Sequence, residues 1–85
     1  MTRSERIHNI LTQELRPSHL EVVDESHKHA GHAGARPEGE THFRVVIVSE
    51  AFLGKGRVAA HQHIYRLLAD ELQNGLHALA IDARA

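Results

Sequence analysis

The sequence contains no cysteine. A disulfide framework is therefore excluded, and so is any thiolate nucleophile or thiolate metal ligand from this chain. The absence fits a reducing compartment. Aromatic residues are almost as scarce, with two Phe, one Tyr and no Trp, so the core must be aliphatic. No run approaches the roughly 18 apolar residues that a membrane span needs. The opening MTRSERIHNIL is amphipathic and has no apolar h-region, so it is not read as a secretory signal. The expectation is a cytoplasmic protein with no membrane association. Neither sign of charge dominates: the formal net charge is −1 with neutral histidines, which argues against a broad electrostatic grip on nucleic acid. Hydrophobic content of 41% and charge of 25% are ordinary for a globular chain. Its 85 residues leave room for a single domain, 1–85. A domain of this size buries roughly 60% of its unfolded surface and is expected to be marginally stable, which leaves room for a partner or ligand to add to its stability.

What the chain does have is histidine, nine in all. Several fall in one segment, residues 26–42 (SHKHAGHAGARPEGETH), which predicts a flexible Gly- and His-rich loop with Gly31, Gly34, Pro37 and Gly39 as breakers. Most connections in a compact domain run to about 4–6 residues, and structureless ones beyond about 12–15 are usually functional or disordered. His27, His29 and His32 are close enough in sequence to share a metal. A His-rich loop also takes up Zn²⁺, Ni²⁺ or Cu²⁺ adventitiously, and the residues alone favour a solvated polar loop.

Around this loop the periodicities change. Thr2 and Glu5 have the spacing of a capping box, and Ile7, Ile10, Leu11 and Leu15 then share one face of a helix over about residues 3–15, which Pro17 cannot continue. His19 to Glu25 predicts a strand with Leu20 and Val22 on its buried side. Thr41 to Ser49 predicts the strongest strand, with Phe43, Val45 and Ile47 on one face. Its second half is apolar on both faces, which suggests a central place in the sheet. After the Gly54-Lys55-Gly56 turn, Val58, His61, Ile64, Tyr65, Leu68 and Leu72 predict one long helix over roughly 57–73, closed at Asn74-Gly75. His77 to Ala83 alternates and predicts a third strand. A strand–helix–strand crossover normally makes the two strands parallel. The expected order is α-β-β-α-β: an α/β (α+β) fold with a three-stranded mixed sheet and both helices on one face.

Taken in order, these residues resemble the BolA family nearly end to end. The matching pieces are Leu20-Glu21-Val22-Val23-Asp24-Glu25-Ser26, then Thr41-His42-Phe43, then Val46, Val48 and Ser49 with Phe52 and Gly54. After these come Arg57-Val58, His61 with Ile64-Tyr65, Leu68 with Glu71-Leu72, and His77-Ala78-Leu79. The resemblance implies a fold like class II KH domains, in agreement with the element order. It also implies a partner of monothiol glutaredoxins, sharing a bridging [2Fe–2S] cluster in iron–sulfur trafficking and iron regulation. In the family one cluster ligand comes from the loop between the first two strands, as His or Cys, and the other is the His that opens the last strand. Carried over by position these are His29 and His77, with His27 and His32 as spare donors. Two imidazoles in place of two thiolates on one iron keep the cluster core and raise its potential, as in Rieske centres. The remaining thiolates would come from a glutaredoxin Cys and from glutathione, so this chain holds no cluster tightly by itself. His77 shares parity with Leu79 and Ile81, and so also fits a histidine at the edge of the core.

The competing reading is a DNA-binding regulator of stress response and cell morphology, as some bacterial members of the family are described. It would use Gly54 to Arg66, with Lys55, Arg57 and Arg66 as cations and His61 and His63 as weaker donors. Family members often carry Arg on both sides of the His at position 61, where this chain has Ala60 and Gln62. Three fixed cations imply a salt slope of about −3 at most, and weak binding. RNA binding through a KH clamp is disfavoured, because Gly31-His32-Ala33-Gly34 lies between strands and the Gly54-Lys55-Gly56-Arg57 turn lacks the motif. No nucleophile elbow, metalloprotease motif or phosphate loop is present, and the chain is read as a non-enzyme.

Overall fold

In the computed structural model, which describes residues 1–26 and 40–85, helix α1 spans Arg3–Leu15. Its start is the expected reciprocal cap. Glu5 N donates to Thr2 Oγ1 at 3.2 Å and Thr2 N donates to Glu5 Oε1 at 3.1 Å, which satisfies two amides that a helix end leaves without partners. The helix ends at Arg16, which takes a left-handed conformation (φ 44) ahead of Pro17. Ile7, Leu11 and Leu15 form its buried stripe.

Strand β1 (His19–Asp24) pairs antiparallel with β2 (His42–Val48), and β3 (Ala78–Arg84) pairs parallel with β2. The sheet order β1-β2-β3 puts β2 in the middle, as its doubly apolar second half suggests. In register, Leu20 faces Ile47, Val22 and Ile81 flank Val45, and Leu79 faces Phe43. These side chains line one face of the sheet. Against that face pack Ile7, Leu11 and Leu15 of α1 together with Ala60, Ile64 and Leu68 from the second half of the chain. Both helical layers therefore cover one side of the sheet, and the expected mixed α+β architecture holds.

The long helix does not form as expected. It divides into α2 (Arg57–Leu67) and α3 (Ala69–Gln73), with a bend at Leu68 (φ −102, ψ 16). Leu68 joins the two, donating its amide to Ile64 O at the end of α2 and, at the start of α3, accepting from Leu72 N. The buried stripe is also rotated from the predicted one. Val58 is 70% exposed and Tyr65 lies at the rim, while Ala60, Ile64, Leu68 and Glu71 face inward. Ala60 and Glu71 give no hydrophobic signal, so the sequence pattern leans towards Val58 instead.

Glu71 is buried because two arginines of α1 reach it. Arg3 Nε donates to Glu71 Oε1 at 2.9 Å and Arg6 Nε to Glu71 Oε2 at 2.8 Å. Arg3 also donates to the backbone carbonyls of Glu40 and Asn74. One guanidinium thus ties the start of α1, the end of α3 and the approach to β2. Gly75 (φ +120) lets the chain leave α3 in a conformation that side chains rarely adopt, close against the Arg3 guanidinium.

The expected loop of residues 26–42 falls mainly on 27–39, outside the described residues, and His27, His29 and His32 go with it. Both of its ends are described.

Candidate metal centre

The loop ends are held by two short polar side chains at the close of β1. Asp24 Oδ1 accepts from Ser26 N at 2.9 Å, and Asp24 Oδ2 accepts from Glu40 N at 3.1 Å. Ser26 Oγ accepts from two amides on the far side, Thr41 N at 2.9 Å and His42 N at 3.1 Å. Glu25 N completes the closure by donating to His42 O at 2.7 Å. Ser26, Thr41 and His42 are all buried, so each of these amides would be costly to leave without an acceptor.

Thr41 then faces the other way. Its carbonyl accepts from His77 N at 2.7 Å and from Ala78 N at 3.1 Å, which starts the β2–β3 ladder. A single buried residue is bonded on one side to the point where the loop departs, and on the other to the histidine that opens β3. The ring of His77 is exposed and lies with its centroid 5.3 Å from that of His42, tilted by 55°. His42 is 6% exposed, with its Nδ1 2.9 Å from Thr41 Oγ1. One imidazole is thus buried inside the junction, and an exposed one lies against it.

Among the described residues, no three His, Asp or Glu side chains converge as a metal-ligand set. The described half of the site offers imidazole nitrogens and the fixed start of the loop. His77 is where the sequence places it, and its backbone bond to Thr41 is the feature that positions it. His77 is exposed, at the rim of the core beside buried His42.

Sequence reasoning missed the roles of Ser26, Thr41 and His42. Asp24-Glu25-Ser26 and Thr41-His42 stand out there only as pieces of the family resemblance, because the bonds joining them cross the loop. The only available signal was a run of buried-capable polar residues at both ends of one loop.

The residues assigned to nucleic-acid contact fall into two groups. Lys55 Nζ lies 3.0 Å from His63 Nδ1. An ammonium has only donors, so Nδ1 accepts and the proton of the neutral ring sits on Nε2. Burial, with the Lys55 and Arg66 charges behind it, lowers the pKa of His63 below its usual value, and the ring packs edge-on against Phe52. At neutral pH it therefore adds no positive charge for DNA. Arg57 and His61 instead line a cavity beside Ile81, Asp82, Ala83 and Arg84 of β3. Arg84 is a cation the sequence analysis did not assign.

Comparison with known proteins gives a consistent picture. The BolA-like protein family model matches residues 11–85. The chain is 53% identical, over 98% of its length, to SufE-like protein 1, chloroplastic/mitochondrial, of Arabidopsis thaliana, but spans only 24% of that relative. It is 46% identical, over 91% of its length and 70% of the relative's, to the DNA-binding transcriptional regulator BolA of Escherichia coli. Among solved structures it is similar to the BolA domain of SufE1 from Arabidopsis thaliana. The TM-score is 0.90 and the identity 52%, covering 99% of this chain and 92% of that one.

Proposed function

The chain belongs to the BolA-like protein family, and we propose that it is a non-enzymatic partner of a monothiol glutaredoxin, to which it contributes His77 and His29 as ligands of a shared [2Fe–2S] cluster. The observation that carries this reading is the junction at Thr41. It links the backbone of His77, through this one residue, to Ser26, which precedes the segment that carries His29.

The donor set fits such a cluster. Imidazoles are competent ligands for one of the two irons, and a chain without cysteine must leave the thiolates to a glutaredoxin and glutathione. When bound, the cluster would supply one-electron chemistry at a potential raised by imidazole ligation. The chain's own residues do the positioning. Thr41 fixes where His77 begins, His42 walls its ring on the protein side, and Asp24 and Ser26 set where the loop leaves and returns. A ligating imidazole must be neutral, so acid should dissociate the shared site.

The test is visible circular dichroism of the protein mixed with a cluster-loaded monothiol glutaredoxin, for the wild type, His77→Ala and His29→Ala. A new spectrum for the wild type, lost in both variants, is expected. A wild-type spectrum equal to the sum of its components removes the reading. A change in His77→Ala alone removes the assignment of His29.

The name of the Escherichia coli relative supports a second reading, binding of DNA, through the exposed Lys55, Arg57 and Arg66. A mobility shift whose affinity ignores Lys55→Ala and Arg57→Ala would remove it.

A further inference from the structure

Among the described residues, no further strand covers the outer edge of β3, where the sheet order ends. Which of its backbone groups point outward follows from the ladder. Ala78 N donates to Thr41 O and Arg84 O accepts from Ser49 N, so both residues turn their backbone groups towards β2. With a period of two, Ala80 and Asp82 do the same, and Leu79, Ile81 and Ala83 turn theirs outward.

Helix α2 runs alongside this edge with one stripe of side chains. Tyr65 Oη donates to Leu79 O at 3.1 Å, which satisfies one outward carbonyl. One and two turns earlier the same stripe holds His61 and Arg57, and they line a cavity of about 470 Å³ with Ile81, Asp82, Ala83 and Arg84. The outward amides and carbonyls of Ile81 and Ala83 therefore face a groove between a helix and a sheet edge. An exposed strand edge is a template for pairing, and peptide-binding domains use one flanked by a helix in this way.

The charges select the occupant. Arg57 and Arg84 are exposed, and His61 adds a ring with a donor nitrogen. Among the described residues, the one carboxylate lining the groove is Asp82, whose Oδ1 is 3.0 Å from Arg84 Nε. That pair is largely exposed, and such surface pairs contribute little, so Arg84 can exchange Asp82 for another carboxylate at small cost. We propose that the groove between α2 and the outer edge of β3 binds an extended, acidic segment of a partner protein, which adds a strand to the sheet by pairing with Ile81 and Ala83 while its carboxylates meet Arg57 and Arg84. This surface lies at the far end of β3 from His77 and does not depend on the metal reading.

The test uses the full chain and an end-blocked octapeptide of alternating valine and glutamate, with a valine–lysine twin, read by amide NMR and hydrogen exchange. The Glu peptide should shift the amides of Leu79 to Arg84 and slow exchange at Ile81 and Ala83 at least tenfold. The Lys peptide should bind at least tenfold more weakly. Ala83→Pro, which removes one outward amide at an edge position where proline is tolerated, should weaken binding at least tenfold. Arg57→Ala should weaken it severalfold without needing any change in the strand. The proposal is overturned by unchanged β3 amides at millimolar Glu peptide. It is also overturned by shifts with unaltered exchange, which mean a charge contact only, or by slow exchange at Ile81 and Ala83 in a free protein of doubled mass, which means that a second copy occupies the edge.

Discussion

Ser26 carries more of the site than its size suggests. Its hydroxyl oxygen is the acceptor for the amides of Thr41 and His42, and all three residues are buried. Ser26→Ala leaves two buried amides without an acceptor. The expected loss is about 2–3 kcal/mol, measured by urea unfolding, and Ser26→Thr should recover part of it. Glu71 adds an acid-sensitive contribution to the fold. Hydrogen bonds from Arg6 hold its carboxyl below the ordinary value of 4.5, with burial opposing and Arg3 adding to the effect. A carboxylate with a lowered folded pKa stabilises the protein fully above its unfolded value and loses that contribution as pH falls through the folded one. Glu71→Gln should therefore cost about 2 kcal/mol at pH 7. The gap between variant and wild type should close as the pH drops below 4.5, as seen in thermal melts across that range.

Among the elements, α1 was fully legible in the sequence, because its cap, its stripe and its terminator are all local. The strands were legible to within a residue or two for the same reason. The second helix was not, since which face it buries depends on partners that local periodicity does not contain. Glu71 turns inward only because Arg3 and Arg6 meet it from α1, and that rotation brings Ala60 under the sheet and leaves Val58 outside. Two substitutions separate the predicted face from the observed one. Val58→Lys should change stability by no more than about 0.5 kcal/mol, whereas Ala60→Lys, at a buried position outside the predicted face, should cost about 3 kcal/mol. Equal losses in chemical unfolding would restore the predicted face.

For the whole molecule, the path of the chain was readable from the order of its elements. The crossover makes β2 and β3 parallel, and this brings Thr41 level with His77. Beyond that, the site depends on meetings between residues 26, 41–42 and 77, which no window of sequence shows together. His42 was visible at the loop exit and in the family resemblance but not as a neighbour of His77, and the Arg57–His61 groove only as part of a helix surface. The central claim is that imidazoles of this chain ligate a cluster whose thiolates come from the partner. The most direct measurement is pulsed electron paramagnetic resonance of the one-electron-reduced complex, with ¹⁵N-histidine in this chain and an unlabelled monothiol glutaredoxin. The account predicts strong ¹⁵N couplings of directly bound imidazole, reduced in His77→Ala and again in His29→Ala. A reduced [2Fe–2S] signal with no ¹⁵N coupling would contradict it.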